Sequence, residues 1–338
     1  MKKHTKQILA VLLCVVMLVS LAACAGKQDD KTADLQKITL SLDWTPNTNH
    51  TGIYVALAKG YFTEAGLDVT VVQPPESGAA AMCAAGQAQF AIDAQDTLAA
   101  AFTSDEPLGV TAVAALLQHN TSGIISRKGE GMDRPKGMEN HTYSTWEVPT
   151  ELAMLKTVME KDGGDFSKVK LIPNTITDEA GALKEKQTDA IWIFYGWGGI
   201  SAKLSGLDFD YFNFTDIDPV FDYYTPVLIA NNNYIAENPE TTKAFLSALK
   251  KGYEYAIANP EEAAQILVDG DTTGSLKESL ELVTESQKWL STQYKAEVAQ
   301  WGYIDPARWD GFYKWLWDNE LIEKELPAGT GYTNAYLS

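Results

Sequence analysis

Ile38-Thr39-Leu40-Ser41-Leu42-Asp43-Trp44-Thr45-Pro46-Asn47-Thr48-Asn49-His50 is the stretch on which the reading of this chain turns. Ile38, Leu40, Leu42 and Trp44 alternate with Thr39, Ser41 and Asp43, the period of two expected of a half-buried strand. Pro46 then stiffens a turn, and Ile53, Leu57 and Tyr61 recur at helical spacing. A polar loop is thus projected from the carboxyl end of a strand. Asn47 and Asn49 supply donors and acceptors, and Trp44 a flat apolar face. Taken alone, the loop reads either as a ligand-binding segment or as an Asn-rich helix start with Trp44 in the core.

Outward from this loop the strand and helix signals alternate. Strands are expected at 67–72, 90–93 and 108–117, with an Ala-rich helix at 78–85 between the first two. The middle repeats the arrangement: strands at 141–146, 169–172 and 190–194, helices at 150–161 and 178–186, and an extended segment at 224–230. The last third is helical, with Phe245, Leu249, Tyr253 and Ile257 in register. Ser275-Leu-Lys-Glu278 has the pattern of a capping box, and Asp305-Pro306 that of a cap followed by proline in the first turn. The β-α alternation predicts α/β lobes with parallel sheets. The boundaries expected are 37–125 with 226–338 for lobe 1, and 126–225 for lobe 2. The chain would cross between them near 124–128 and 223–227, and ligand would sit at strand carboxyl ends in the crevice.

The amino terminus carries Lys2, Lys3 and Lys6 ahead of a 16-residue apolar run, Ile8 to Ala23, broken only by Ser20. That run is shorter than the ~20 residues a spanning helix needs and fits a signal peptide over 1–23. Leu21-Ala22-Ala23-Cys24 resembles the lipobox of bacterial lipoproteins, in which the cysteine is acylated and becomes the mature terminus. Residues 24–36 read as a charged tether, holding an extracytoplasmic globule to the cell membrane through lipid on Cys24. Loss of 1–23 removes three lysines and no acid, taking the formal charge from −18 to −21. So acidic a chain is a poor ligand for nucleic acid. Cys83 is then the only other cysteine, so no internal disulfide is expected and the fold rests on its core. The expected state is a monomer.

Asp43-Trp44-Thr45-Pro46-Asn47-Thr48-Asn49-His50-Thr51-Gly52 strongly resembles the opening motif of the thiamine-pyrimidine-precursor-binding proteins, a family shared by bacterial importer components and fungal pyrimidine synthases. Gln73-Pro-Pro-Glu76, His119-Asn-Thr-Ser-Gly-Ile-Ile-Ser126, Asp222-Tyr-Tyr-Thr-Pro226, Gly252-Tyr-Glu-Tyr-Ala256, Gln300-Trp-Gly-Tyr-Ile304 and Pro327-Ala-Gly-Thr-Gly331 extend the match from about residue 38 to the end. The resemblance implies a type II periplasmic-binding-protein fold of two α/β lobes with a hinge. It also implies a pyrimidine-like ligand of the formylaminopyrimidine or hydroxymethylpyrimidine type, delivered to an ABC permease and its ATPase. It carries over to Trp44, Asn47 and His50. Phe194-Tyr195-Gly196-Trp197-Gly198-Gly199-Ile200 resembles the family's second aromatic motif, with Gly198 where that motif typically has an acid. The acid would accept from the pyrimidine's amino group; Glu147 or Glu76 could substitute for it. Tyr195, Trp197, Tyr223 and Tyr224 are further aromatic candidates, one or more of them equally suited to core packing. Gln95 at a strand end and Asn120 at a crossover complete the candidate set.

Three histidines, His50, His119 and His141, follow the leader, without His-x-x-x-His or Cys-x-x-Cys spacing, and no phosphate loop or Gly-x-Ser-x-Gly elbow occurs. Neither a metal nor a cofactor is expected. In the fungal synthases the resemblance implies a cysteine cluster for iron, a lysine-bound cofactor and a histidine near the segment matching 93–97. This chain has no Lys or His between Tyr61 and Glu106 and no cysteine cluster, so a binding protein is expected and not an enzyme. Riboflavin or another heteroaromatic is the alternative ligand within the same fold. A sulfonate would want convergent cations that the candidate loops lack.

Overall fold

The computed structural model describes residues 35–337. The expected signal peptide and Cys24, with nearly all of the expected tether, lie outside the described residues. Two five-stranded sheets organise the rest. The first contains β1 (Gln36–Ser41), β2 (Leu67–Val72), β3 (Phe90–Asp93), β4 (Val110–Ala115) and β10 (Val227–Asn231), in the order β2-β1-β3-β10-β4. The second contains β5 (Ser122–Arg127), β6 (Thr142–Thr145), β7 (Lys170–Pro173), β8 (Ala190–Phe194) and β9 (Phe209–Asn213), in the order β7-β6-β8-β5-β9. Each sheet therefore has the same plan: second, first, third, crossing strand, fourth. This is the two-lobed type II periplasmic-binding-protein architecture.

The expectation of purely parallel sheets is corrected by the crossing strands. β1 pairs parallel with β2 and β3, and β6 with β7 and β8, but β10 and β5 run antiparallel to both of their neighbours. Each arrives from the other lobe and must enter its sheet from the hinge end. Alternation of apolar residues carries no information on strand direction. β5 pairs with β8 and β9 along its whole length, so the chain has already changed sheet by Ser122, ahead of the segment 124–128 where the crossing was expected. β9, which the apolar pattern does not announce, is an edge strand that mixes aromatic and polar residues, Phe209-Asp-Tyr-Phe-Asn213, without strict alternation.

Central strands are buried on both faces, which is why β8 and β10 read as continuous apolar runs. One core lies under the helices Thr51–Ala58 and Pro239–Ala258 and includes Leu40, Ile53, Phe245, Tyr253 and Trp301. These helices cross almost in backbone contact: a Cβ on Gly252 would stand 2.0 Å from the Gly52 carbonyl oxygen, and one on Gly52 2.3 Å from the Tyr253 ring. A second core continues from one lobe into the other through Phe214, Phe221, Trp315, Phe312 and Tyr223. The helix Pro306–Asp318 supplies two of those rings and starts as expected, with Asp305 accepting from the Arg308 amide and Pro306 in the first turn. Ser275 does not begin a helix; its hydroxyl closes a turn onto Asp271, and the helix starts at Leu280.

Candidate functional site

The first wall of the interlobe cleft grows from the end of β1. The strand stops at Ser41, the chain bends through 43–46, and Thr48–His50 form a 3-10 turn. Asn47 caps this turn: its Oδ1 accepts from the Asn49 amide at 2.9 Å and its Nδ2 donates to the Thr45 carbonyl at 3.1 Å. His50 is fully buried. Its Nδ1 accepts from the Asn47 amide at 3.3 Å, which leaves Nε2 as the protonated nitrogen, donating to Asp43 Oδ1 at 2.7 Å. The helix Pro239–Ala258 and the turn that follows the helix Leu280–Leu290 hold the loop from behind. Tyr253 OH donates to the Asn49 carbonyl at 2.7 Å, and Tyr294 OH donates to that of Thr48.

The opposite wall is the end of β8. Phe194 is 41% exposed and leads into the π-turn Tyr195–Gly199. Asp43, Asn47 and Thr48 of one lobe and Phe194, Gly196 and Trp197 of the other enclose a recess of about 90 Å³, closed at the hinge side by Thr225 and Pro226. An apolar cavity of about 150 Å³ holds a benzene, so a substituted ring requires the lobes to part somewhat. Among the described residues, Asp43 is the only ionisable side chain lining this recess.

Beyond the recess the π-turn clasps the first lobe directly. Trp197 packs against the cluster of Tyr54, Leu267, Leu276 and Val283, and the Tyr195 ring lies 5.2 Å from that of Trp289. Between them the Ser286 hydroxyl donates to the Gly196 carbonyl. Having spent its one proton there, Ser286 must accept from Thr48 Oγ1, 2.6 Å away. The chain Thr48–Ser286–Gly196 therefore runs from the binding loop to the other lobe. A side chain at 196 would press on Leu290 and Trp289 at 3.1 Å, so glycine permits the close approach.

A family described as NMT1/THI5 like matches residues 47–263. The chain belongs to that family. Formylaminopyrimidine-binding protein of Halalkalibacterium halodurans is 27% identical, covering 97% of this chain and 98% of its own. A 4-amino-5-hydroxymethyl-2-methylpyrimidine phosphate synthase of Saccharomyces cerevisiae is 25% identical over 69% of this chain and 71% of its own. Among solved structures, the periplasmic aliphatic sulphonate-binding protein SsuA of Escherichia coli superposes with a TM-score of 0.67 at 12% identity, covering 89% of this chain and 99% of that one. At that identity the likeness shows the fold alone.

In this NMT1/THI5-like protein the residues singled out from sequence, Tyr195 apart, fall into three groups. Asn47 and Trp197 line the recess, and His50 stands behind Asp43. Trp44, 67% exposed, Glu76 and Glu147 are on the surface outside the recess lining. Glu147 has a φ of +60°, and its amide is held by Thr145 Oγ1 at 2.9 Å. The remainder are drawn into the hinge framework. Gln95 donates to the Trp309 carbonyl at 2.8 Å and accepts from the Tyr224 amide at 2.9 Å. Asn120 bridges Phe221 and Ser122, Tyr223 stacks on Phe312 at 4.1 Å, and Tyr224 OH accepts from the Asp305 amide. Tyr195 lines a separate groove of about 640 Å³ beside His119 and Tyr211. A Cβ on Gly198 would meet Ile193 at 3.0 Å, so an acid there would run into the lobe and not toward the recess. Asp43 and Phe194 are lining residues that the sequence reading left aside. Asp43 stood within the quoted motif, and Phe194 is the last residue of a strand run.

The electrostatics around the first lobe are acidic. Burial raises the pKa of Asp93, opposed by hydrogen bonds from Thr97 and the Ala94 amide, and the charge of Asp43 adds to the rise. Asp96 is pushed up to about 6 by burial, opposed by the amides of Asp96 and Thr97, and its Oδ1 has no hydrogen-bond partner. At the hinge, His119 Nδ1 meets Asp222 at 2.8 Å and Nε2 meets Glu297 at 2.8 Å, so the ring is held with both nitrogens donating. The Asp222 bond is the main reason its pKa is raised; burial opposes it and Glu297 reinforces it.

Proposed function

We propose that this protein captures a thiamine-related aminopyrimidine outside the cytoplasmic membrane and delivers it to an ABC permease and its ATPase. Cys24 would carry the lipid anchor, and the protein would catalyse no reaction. The observation that carries this reading is the recess between strand ends of two hinged lobes, lined by Asn47 and an anionic Asp43 on one side and by Phe194 and Trp197 on the other. Aromatic faces suit a planar ring, with about 0.5–1.5 kcal/mol available beyond area burial, and a few polar groups set its orientation. The full-length similarity to a formylaminopyrimidine-binding protein points to the same ligand class. Riboflavin is the less favoured ligand, because three fused rings would require the lobes to part much further than a single substituted ring does.

A synthase reading, suggested by the fungal relatives, finds no support in the segment where the resemblance expects a cofactor lysine and a histidine. That segment reads Asp93-Ala94-Gln95-Asp96-Thr97 here, and its polar groups are turned to structural bonds or buried. The test is titration of purified protein with formylaminopyrimidine, hydroxymethylpyrimidine, thiamine and riboflavin, followed by tryptophan fluorescence. A saturable sub-micromolar response to an aminopyrimidine is expected. Silence toward all four would refute the reading.

A further inference from the structure

Asp43 is singular in the recess. Among the described residues it is the sole lining residue that can carry charge, its side chain is one-third exposed (33%), and only Oδ1 is engaged, by His50. Oδ2 has no hydrogen-bond partner among the described residues. The ring that holds Oδ1 is itself fixed, since His50 is fully buried and its other nitrogen takes the Asn47 amide. The result is a carboxylate of set orientation with unused acceptor capacity at the edge of an otherwise neutral, partly aromatic chamber. The other acids nearby are differently placed. Glu76, Glu147 and Asp93 do not line the recess, and position 198 faces Ile193.

We propose that Asp43 is the specificity-determining residue of the site, accepting a hydrogen bond from the exocyclic amino group of a neutral or cationic heteroaromatic ring and rejecting anionic ligands. This rests on the aminopyrimidine reading above and sharpens it. An amino group donates, which a carboxylate can only accept; a ring carbonyl in its place would set two acceptors against each other, without a proton between them. A sulfonate or phosphate ester would bring a second negative charge toward Asp43 in a chamber with no lining cation to offset it. The discrimination expected is steep because sites built to bond a polar group reject analogues that leave it unpaired. His50 is a positioning residue in this scheme.

The experiment compares wild type with Asp43→Asn and Asp43→Ser by calorimetric titration against formylaminopyrimidine, its 4-oxo analogue, and hydroxymethylpyrimidine phosphate. Thermal melts check that each variant is folded. Wild type should bind the amino compound and discriminate against the other two. Asp43→Asn should lose affinity for the amino compound by about ten- to hundredfold, gain relative affinity for the oxo analogue, and tolerate the phosphate better. Asp43→Ser should lose the amino preference as well. An amino-to-oxo ratio unchanged in both folded variants overturns the proposal while leaving the aminopyrimidine reading intact. A wild type that binds none of the compounds overturns both.

Discussion

Replacing Ser286 with alanine should loosen the closed arrangement of the lobes without unfolding either. Ser286 is fully buried on the helix Leu280–Leu290 of the first lobe, and its hydroxyl reaches the Gly196 carbonyl of the second. Of its two hydroxyl bonds, that to Thr48 stays within the first lobe and survives opening, whereas that to Gly196 exists only when the lobes are together. A net hydrogen bond is worth about 0.5–1.5 kcal/mol, so the ratio of closed to open molecules should fall about two- to twelvefold. Alanine leaves the packing of Trp197 and the Tyr195–Trp289 contact in place, so closure should weaken and not vanish. Spin labels at the exposed Glu237 and Lys170, one on each lobe, would report the change as added population at long distance. Affinity for the ligand should drop by the same factor, carried mainly by faster dissociation. An unchanged distance distribution in a variant with a lowered melting temperature would refute the reasoning, because Ser286 would then support the first lobe alone.

Gln95→Ala should behave in the opposite way. It leaves the Tyr224 amide buried and unpaired, at about 1–3 kcal/mol, and removes a second donor from the Trp309 carbonyl, which keeps its place in the helix Pro306–Asp318; denaturant melts should show that loss while the affinity of the folded protein is unchanged. Asp96→Asn tests the buried acid. Its pKa of about 6 in the fold against 3.8 for the unfolded chain means that Asp96 favours the folded state fully below pH 3.8. That contribution fades as pH rises and is gone above about pH 6, a span of at most about 3 kcal/mol. The variant should therefore melt higher than wild type at pH 7.5, with the gap narrowing toward pH 4; an equal gap at both would sink the assignment.

Much of the architecture was legible because burial leaves periodic traces. β2, β3 and β8 stand where apolar runs bounded by glycine, proline or polar residues placed them, and Asp305-Pro306 marked its helix start by local chemistry alone. β5 and β9 were hidden for different reasons. β5 opens with Ser122 and Gly123, and a Cβ on Gly123 would stand 2.2 Å from the Phe212 carbonyl oxygen, so small residues there serve close pairing that sequence does not advertise. β9 lies at an edge, where one-sided burial leaves only a faint pattern. Ser275 misled because a Ser-x-x-Glu spacing is shared by helix caps and by turns, and Asp271 was better placed to take its hydroxyl.

Most of the elements, the repetition of an α/β unit, and the polar loop at the end of the first strand could be read from the sequence alone, since these depend on neighbours within a few residues. The tertiary structure alone decided which polar groups face the cleft. Gln95, Asn120 and Tyr224 look like binding residues until partners from elsewhere in the chain, among them Trp309, Phe221 and Asp305, are found to consume their hydrogen-bonding capacity. Asp43, only seven residues from the histidine that orients it, keeps an oxygen to spare, because among the described residues no donor is bonded to its Oδ2. Whether a polar group serves the fold or a ligand is settled by what remains unpaired after folding, and that accounting requires contacts between residues far apart in the chain.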